Sequence, residues 1–480
     1  MAEQIGSATS PLRVAVFGSG PAGFYAVGEL LRQKDITITV DLFDRLPTPY
    51  GLVRGGVAPD HQKIKAVIRQ YEKIANRPGF RFFGNVTFGE DLLLADVLAH
   101  YHRVLFATGA ESDRQLGIPG EDLPGSDPAT IFVGWYNGHP DYRDLQFDLS
   151  KVERVAVIGN GNVAMDVTRI LARSIEELSV TDIADYALEA LKKSAVKEIY
   201  LLGRRGPVQA AFTNPEIREL SEMPITDLVV KPEDLELDEA NKGFLEQATE
   251  PVHQRNMDIL TAQIPKGEGS AQRKIRARFF VSPVELYGTD RVEGMKLEKN
   301  RLMKDDSGTL RARGTGEYEE LPNIQMVFRS IGYKGHPLKD VPFDERGGII
   351  PNDAGRVIDP ETKAPIARLY VTGWIKRGPS GVIGTNKADA VETVQLMLED
   401  FRSGQSPPDV QAVMADEQAI LALLTQKGVR SVSFADWQYL DQIEVETGKK
   451  IGKPRKKMTT IKEMLTALDA RDVGEAQSAS

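Results

Sequence analysis

An α/β protein with two Rossmann-like dinucleotide-binding domains is predicted by three features of this sequence. An apolar β-branched run breaks into closely spaced glycines at Arg13–Gly23; the pattern recurs at Arg154–Ala164; and each copy leads through a helical stretch to a second apolar strand. A chain of 480 residues is more than one hydrophobic core usually serves, so two or three domains are expected.

The elements follow in order. After the strand from Arg13 a helix is expected from Pro21 to about Gln33, then a strand from Ile36 to Phe43 that ends in Asp44. In such a βαβ unit Gly18 permits the turn, Gly20 lets a pyrophosphate approach the backbone, and Gly23 lets helix and strand pack. Asp44, 26 residues after Gly18, is placed to accept ribose hydroxyls. Val104–Gly109 is an apolar strand ending in Ala-Thr-Gly and marks a domain seam, and Phe328–Gly332 is its counterpart. In the second copy Gly159, Gly161 and the small Ala164 open a helical stretch running from about Ala164 to Ala195, followed by the strand Glu198–Gly203. Where the first unit has an aspartate, this one has Arg204 and Arg205. A carboxylate there favours an unmodified ribose, whereas paired guanidiniums suit a 2′-phosphate. One site for a ribose-bearing cofactor and one for NADP make the economical reading a flavoprotein, with FAD at the first turn. Near the far end Leu369–Trp374 is a further strand into a turn, then come Gly378–Gly381 and a helix from Asn386 to Asp400. Backbone amides at that helix start are suited to the anionic edge of a flavin ring. Asn162 and Asp166, four apart on the helix opening at Gly161, are expected to face together toward the nicotinamide end.

Composition removes whole classes of function. Lys and Arg total 60 against 69 Asp and Glu, a net charge of -9, which lacks the global basic footprint of a nucleic-acid binder. Hydrophobic residues at 41% and charged residues at 27% describe an ordinary globular chain. No apolar run approaches the roughly 20 residues of a spanning helix, and Met1–Leu12 is short and polar, so a cytoplasmic location without a membrane span is expected. The absence of cysteine excludes disulfides, thiolate-bound zinc, protein-held iron–sulfur clusters and a catalytic dithiol, and no metal site is expected.

Four longer blocks carry a family resemblance: Pro49–His61, Gly159–Asp166, Gly203–Pro207 with Ala211–Thr213, and Thr372–Asn386. Together they resemble the adrenodoxin reductase family of ferredoxin–NADP reductases, over Arg13 to about Leu468. The resemblance implies an FAD domain made from both chain ends, 1–112 and 338–480, with an NADP domain inserted at 113–337. It implies FAD contacts from Gly18, Gly20, Pro21, Ala22, Gly23, Asp44, Arg45, Leu52, Val53, Trp374, Gly381, Val382 and Ile383, with Asp44 standing where the family often has glutamate. NADP contacts are implied for Gly159, Gly161, Asn162, Val163, Arg204, Arg205 and Glu216, and a polar pair near the flavin for His61 and Asp166.

The family's activity is electron transfer from NADPH to a small iron–sulfur protein: hydride transfer to flavin, then two one-electron steps. Orientation and dryness matter more than acid–base chemistry here, and no catalytic triad is expected. With no cysteine pair to receive electrons, the disulfide-reductase route is closed. Ferredoxins are acidic, so docking requires local basic residues. Arg218 stands where the family uses an arginine for its partner, and Gln272–Arg278, with Arg273 and Lys274, supplies four positive charges in seven residues. A third run, Lys449–Lys457, has six basic residues in nine and is expected to be a surface loop; Gly474–Ser480 is expected to be a frayed tail. The alternative function is an NADPH diaphorase or quinone reductase with no protein acceptor.

Overall fold

In a computed structural model that describes residues 5–247, 250–306, 308–404 and 417–479, the chain builds two parallel sheets, each flanked on both faces. The first runs from edge to edge Asn352–Asp353, Arg356–Ile358, Pro365–Val371, Arg103–Phe106, Leu12–Phe17, Ile38–Phe43, Phe80–Phe83. All of its pairings from Pro365–Val371 onward are parallel, and the first two strands are antiparallel additions. Leu12–Phe17 is buried at every position because both faces are covered, which is why its sequence, apart from the buried Arg13, is apolar rather than alternating. One face carries the helices Pro21–Leu30, Thr385–Arg402 and Phe434–Lys450; the other holds Phe17, Phe43, Phe106, Ile420 and Leu424. The strand Pro365–Val371 comes from the far end of the chain, so both ends build this unit.

The second sheet is wholly parallel: Ser126–Pro128, Met326–Arg329, Arg154–Ile158, Glu198–Leu202, Arg273–Arg278, Thr226–Val230. Helices cover one face, with Phe132, Met165, Ile170 and Leu201 in the packing. The three-stranded antiparallel sheet Val281–Tyr287, Gly294–Lys304, Leu310–Pro322 covers the other through Leu286, Met295, Leu297 and Leu321. The two crossings between the units meet as a small antiparallel ribbon, Ser112–Asp113 with Tyr333–Lys334.

Four sequence expectations need correction. The helical stretch Ala164–Ala195 is three helices, Asn162–Ala172, Ile175–Ser179 and Asp185–Lys192. Ser174 and Glu177 form a reciprocal capping box that restarts the chain in a new direction, and buried Asp182 turns it again. The basic stretch Gln272–Arg278 is no free patch, because Arg273–Arg278 is an interior strand whose charges are used locally. Arg273 donates to the Arg173 carbonyl, Lys274 pairs with Asp227, Arg276 with Glu198 and Glu268, and Arg278 with Asp234 and Glu319. Lys449–Lys457 is a surface loop only in part: Lys449 and Lys450 end a helix, Ile451, Gly452, Pro454 and Lys456 are exposed in the loop that follows, but Lys453 and Lys457 are buried. The carboxyl end is helical as far as Ala479, so Gly474 lies within a helix. Among the described residues no helix is long and apolar enough to cross a membrane.

Candidate functional site

The first site is a cleft of about 1100 Å³, open to solvent, at the carboxyl ends of Leu12–Phe17 and Arg103–Phe106. Its floor is the turn at Gly18, where φ is +102° and a Cβ would stand 2.4 Å from the Ala107 carbonyl oxygen. A Cβ on Gly23 would stand 2.0 Å from the Gly18 oxygen, so helix and strand pack only with glycine there. Gly20 is different: a Cβ would meet nothing within 4 Å, and its open side faces the cleft. The helix Pro21–Leu30 begins there with proline in its first turn and no side-chain cap, leaving its first amides for an anion.

Asp44 lines the cleft at the end of Ile38–Phe43. Its Oδ2 accepts from the Ser19 amide at 2.9 Å and the Ser19 hydroxyl at 2.5 Å, and its Oδ1 from the Leu46 amide at 3.0 Å. Arg45 is gripped by Glu111 at 2.9 Å and Asp141 at 2.8 Å, and these carboxylates hold its charge despite burial. Pro21, Ala22, Leu52, Trp374 and Ile383 line the cleft, whereas Val53 lies in the core of the first unit. Trp374 donates its indole N–H to the Ser380 carbonyl at 3.2 Å and packs 5.8 Å from Tyr333.

The amides available to a flavin edge lie one turn earlier than the sequence predicts. Those of Thr385, Asn386 and Lys387 already donate to Val382, Ile383 and Gly384 carbonyls. No described hydrogen bond uses the amides of Gly381, Val382, Ile383 or Gly384. Of these four residues only Ile383 lines the cleft, while Gly381 and Val382, expected there from the sequence, are not among its lining residues. The unpaired amide of Ile383, the exposed apolar side chain of Leu52 and the bare approach at Gly20 fit a dinucleotide with an aromatic ring system. Asn137, Gly138, His139 and Pro140 reach the same cleft from the second unit, which sequence reasoning missed because they lie far from either glycine turn.

The second turn repeats the geometry. Gly159 has φ +123° and a Cβ there would lie 2.1 Å from the Ser330 oxygen, while a Cβ on Gly161 would meet nothing. Val163 packs against the second core, and Asn162 accepts from the Thr213 amide at 3.1 Å. Arg204 is exposed and Arg205 half-buried on the turn after Glu198–Leu202, and neither guanidinium has a partner among the described residues. Burial, Arg204 and Arg311 all disfavour the charge on Arg205, an arrangement that a bound dianion would relieve.

Between the two turns lies a cluster that sequence reasoning saw only in part. Arg169, fully buried, donates to Asp60 at 2.7 and 3.1 Å, to Glu216 at 2.9 Å and to Asp166 at 2.5 Å. Arg173 donates to Asp60 at 2.7 Å and also bonds Glu219 and Glu177. His61 Nε2 is 3.1 Å from Glu219 and its Nδ1 is 3.7 Å from Asp166. Asp166 and Glu216 are thus turned onto Arg169, and Asn162 and Asp166 both lean toward the 213–219 segment. Burial pushes Asp166 up against the pull of Arg169 and His61. Burial and neighbouring Asp166 likewise push Glu216 up. For His61 burial opposes the charge, but the Glu219 hydrogen bond, Asp166 and Asp60 carry it above the ordinary imidazole value. The signal for Arg169 and Arg173 was their spacing three and seven residues beyond Asp166, in the last turn and at the C-terminal cap of Asn162–Ala172, matched by Glu216 and Glu219 three apart on the helix Asn214–Ser221.

Beside Glu219 opens a shallow depression walled by Arg173, Asn214, Arg218, Glu222 and Arg255. Arg218 and Arg255 are exposed there and neither side chain pairs with a described residue. Arg255 joins Arg218 only in space, so sequence reading did not find it.

The pyridine nucleotide-disulphide oxidoreductase family matches residues 12–201. An NADPH-ferredoxin reductase, FprA, of Mycobacterium tuberculosis is 43% identical over 463 residues, covering 95% of this chain and 98% of its own. The mitochondrial NADPH:adrenodoxin oxidoreductase of Arabidopsis thaliana is 41% identical over 473 residues, covering 96% of each chain. The solved structure of Mycobacterium tuberculosis FprA in complex with NADPH superposes with a TM-score of 0.87 at 42% identity, covering 95% of this chain and 99% of that one.

Proposed function

Because this chain belongs to the adrenodoxin reductase-like family of ferredoxin–NADP reductases, we propose that it oxidises NADPH and passes the electrons singly to a ferredoxin-type iron–sulfur protein. FAD in the first cleft supplies the exchange between two-electron and one-electron chemistry. The turn at Gly18–Gly23 takes its pyrophosphate, Asp44 its ribose, and the amide of Ile383 the polar edge of its ring. Residues 1–112 and 338–480 make this FAD domain and 113–337 the NADP domain.

The observation that carries the reading is the pair of partner-free guanidiniums, Arg204 and Arg205, on the turn beyond the second nucleotide strand. They supply a grip for a 2′-phosphate where Asp44 in the first unit supplies a grip for hydroxyls. Gly159 and Gly161 with the start of Asn162–Ala172 receive the pyrophosphate. The depression holding Arg218 and Arg255 is the proposed docking face for the acidic partner; it adjoins the His61–Glu219 contact, which holds the charged groups between the two nucleotides in one arrangement. The charges of Arg273 and Lys274 are engaged within the second unit and support docking less. The cytoplasm is the proposed compartment.

Stopped-flow absorbance tests the reading. Flavin bleaching that prefers NADPH over NADH, with reoxidation by ferredoxin that slows at high salt, is the expected result. Bleaching with ferredoxin inert and a quinone active would replace it with the diaphorase function.

A further inference from the structure

The run Lys449–Lys457 has no part in the electron-transfer reading, yet it is deeply engaged. Residues 451–460 connect the helices Phe434–Lys450 and Ile461–Ala479. Both helices are seated in the core of the first unit, through Trp437 and Leu440 on one and Met464 and Leu468 on the other. Between these anchors the chain reaches the second unit. Lys453 Nζ donates to Asp185 Oδ1 at 2.6 Å and to the Ile183 carbonyl at 3.3 Å, and Lys456 Nζ lies 3.0 Å from Asp185 Oδ2.

Lys457 makes the most telling contacts. Its ammonium donates to the Asn137 carbonyl at 2.9 Å and to the Arg54 carbonyl at 3.1 Å, and lies 3.4 Å from Asp182 Oδ2. Arg54 and Asn137 both line the first cleft, and they belong to different units. One buried ammonium therefore joins the two walls of that cleft from behind. Lys65 of the first unit meets the same Asp182 at 2.8 Å, giving two cations on one carboxylate. Glu444 squares the frame: it accepts from Arg54 at 2.8 and 2.5 Å, from Arg455 at 3.3 Å and from the Met458 amide at 2.8 Å. Burial costs an ammonium so much that it works strongly against the charge of Lys457. A connection that only joined two helices would require none of these groups.

We propose that residues 451–460 are a strap that holds the Asn137–Pro140 wall of the FAD cleft against the Leu52–Gly55 wall, with Lys457 as a positioning residue for FAD retention and for alignment of the two rings. The proposal rests on the assignment of FAD to this cleft. The strap lies behind the cleft rather than at the Arg204–Arg205 turn, so it acts on the rate of flavin reduction and on FAD release, not on recognition of the 2′-phosphate.

The test uses full-length holoenzyme carrying Lys457→Met and, as a milder break, Lys453→Gln with Lys456→Gln. The chain has no cysteine, so Arg32→Cys in the first unit and Glu189→Cys in the second, 63% and 61% exposed, accept a pair of spin labels without side reactions. Expected are FAD release about tenfold faster for Lys457→Met and about threefold for the double variant, read as rising free-flavin fluorescence. The interlabel distance distribution should broaden in both, and flavin reduction should slow while KM for NADPH changes less than about twofold. Unchanged FAD release with an unchanged distance distribution in folded variants would overturn the strap. A parent protein that takes up no FAD would instead overturn the cleft assignment, and the distance measurement, which needs no flavin, would still judge the strap.

Discussion

Replacing Arg204 and Arg205 together by glutamine separates the two halves of nucleotide recognition. The turn itself does not depend on the side chains: the Arg204 carbonyl accepts from Asn300 Nδ2 at 2.9 Å and the Arg205 carbonyl from the Phe280 amide at 3.2 Å. Neither guanidinium has a partner among the described residues, so the substitution breaks no internal interaction. A charge-assisted contact from half-buried Arg205 to a phosphate is worth about 2 kcal/mol. Exposed Arg204 is screened by water and adds about 1 kcal/mol. The sum of about 3 kcal/mol corresponds to roughly a hundredfold loss in kcat/KM for NADPH. NADH lacks the phosphate and should change by less than about threefold. The assay is steady-state kcat/KM for both nucleotides with ferricyanide as acceptor, which removes protein docking from the measurement. An equal fall for both nucleotides, or a fall for NADPH of less than about fivefold, would refute the assignment of the 2′-phosphate site.

Four further outcomes follow from the geometry. Arg169→Gln strands Asp166 and Glu216 in a buried setting, while Asp60 keeps Arg173, a loss of about 3–5 kcal/mol at pH 8; calorimetry should show the deficit shrinking toward pH 5.5, because these two carboxyls, already pushed up by burial, lose the guanidinium that opposes it and take up protons as pH falls. Gly20→Val should leave the apo protein folded, since a Cβ there meets nothing, yet lower FAD affinity by tenfold or more in fluorescence titration. Arg218→Gln with Arg255→Gln should slow ferredoxin reduction about tenfold at low salt and flatten its dependence on ionic strength, measured by cytochrome-coupled turnover. Burial lifts the Asp113 carboxyl to about 7, opposed by Arg329. Its folded value lies above its unfolded one, so the penalty is absent at pH 3, grows between pH 4 and 7 and is constant above; Asp113→Asn should raise the melting temperature by a few degrees at pH 8 and leave it unchanged at pH 3, and equal shifts at both pH values would contradict this.

What the sequence made legible was local. The glycine turns, the strands that feed them and the exchange of Asp44 for Arg204 and Arg205 each depend on residues close in the chain, where turn chemistry and strand period speak directly. Family resemblance extended this to Trp374 and Ile383, which line the first cleft, whereas Gly381 and Val382 are not among its lining residues. What stayed illegible was either a balance of charges or a meeting of distant segments. The sequence Arg273–Arg278 reads as basic because its partners Asp227, Asp234, Glu268 and Glu319 lie elsewhere in the chain. Lys453 and Lys457 read as surface residues because their counter-charges, Asp182 and Asp185, are some 270 residues away. The helix broken at Ser174 was misread because periodicity persists across the extended Arg173 and the capping box that starts a new helix at Ile175. Arg169 was passed over for the opposite reason: an arginine on a helix normally points to water, and only the carboxylates of two other segments make its burial tolerable.

The strand pairing of Arg103–Phe106 with Pro365–Val371 sets an order of assembly. A ribosome has released the whole of the second unit before it supplies the strand that completes the first sheet. The second unit, whose parallel sheet and antiparallel cover are supplied by one continuous stretch of chain, has all it needs to form early. Once it has formed, the ribbon between Ser112–Asp113 and Tyr333–Lys334 brings its two exits side by side, and the loop of about 260 residues that would otherwise separate Phe106 from Pro365 shrinks to about 37, the six from Phe106 to Ser112 and the 31 from Lys334 to Pro365. Closure of the first sheet then needs a much reduced search, and the helices that carry the strap, Phe434–Lys450 and Ile461–Ala479, arrive later still.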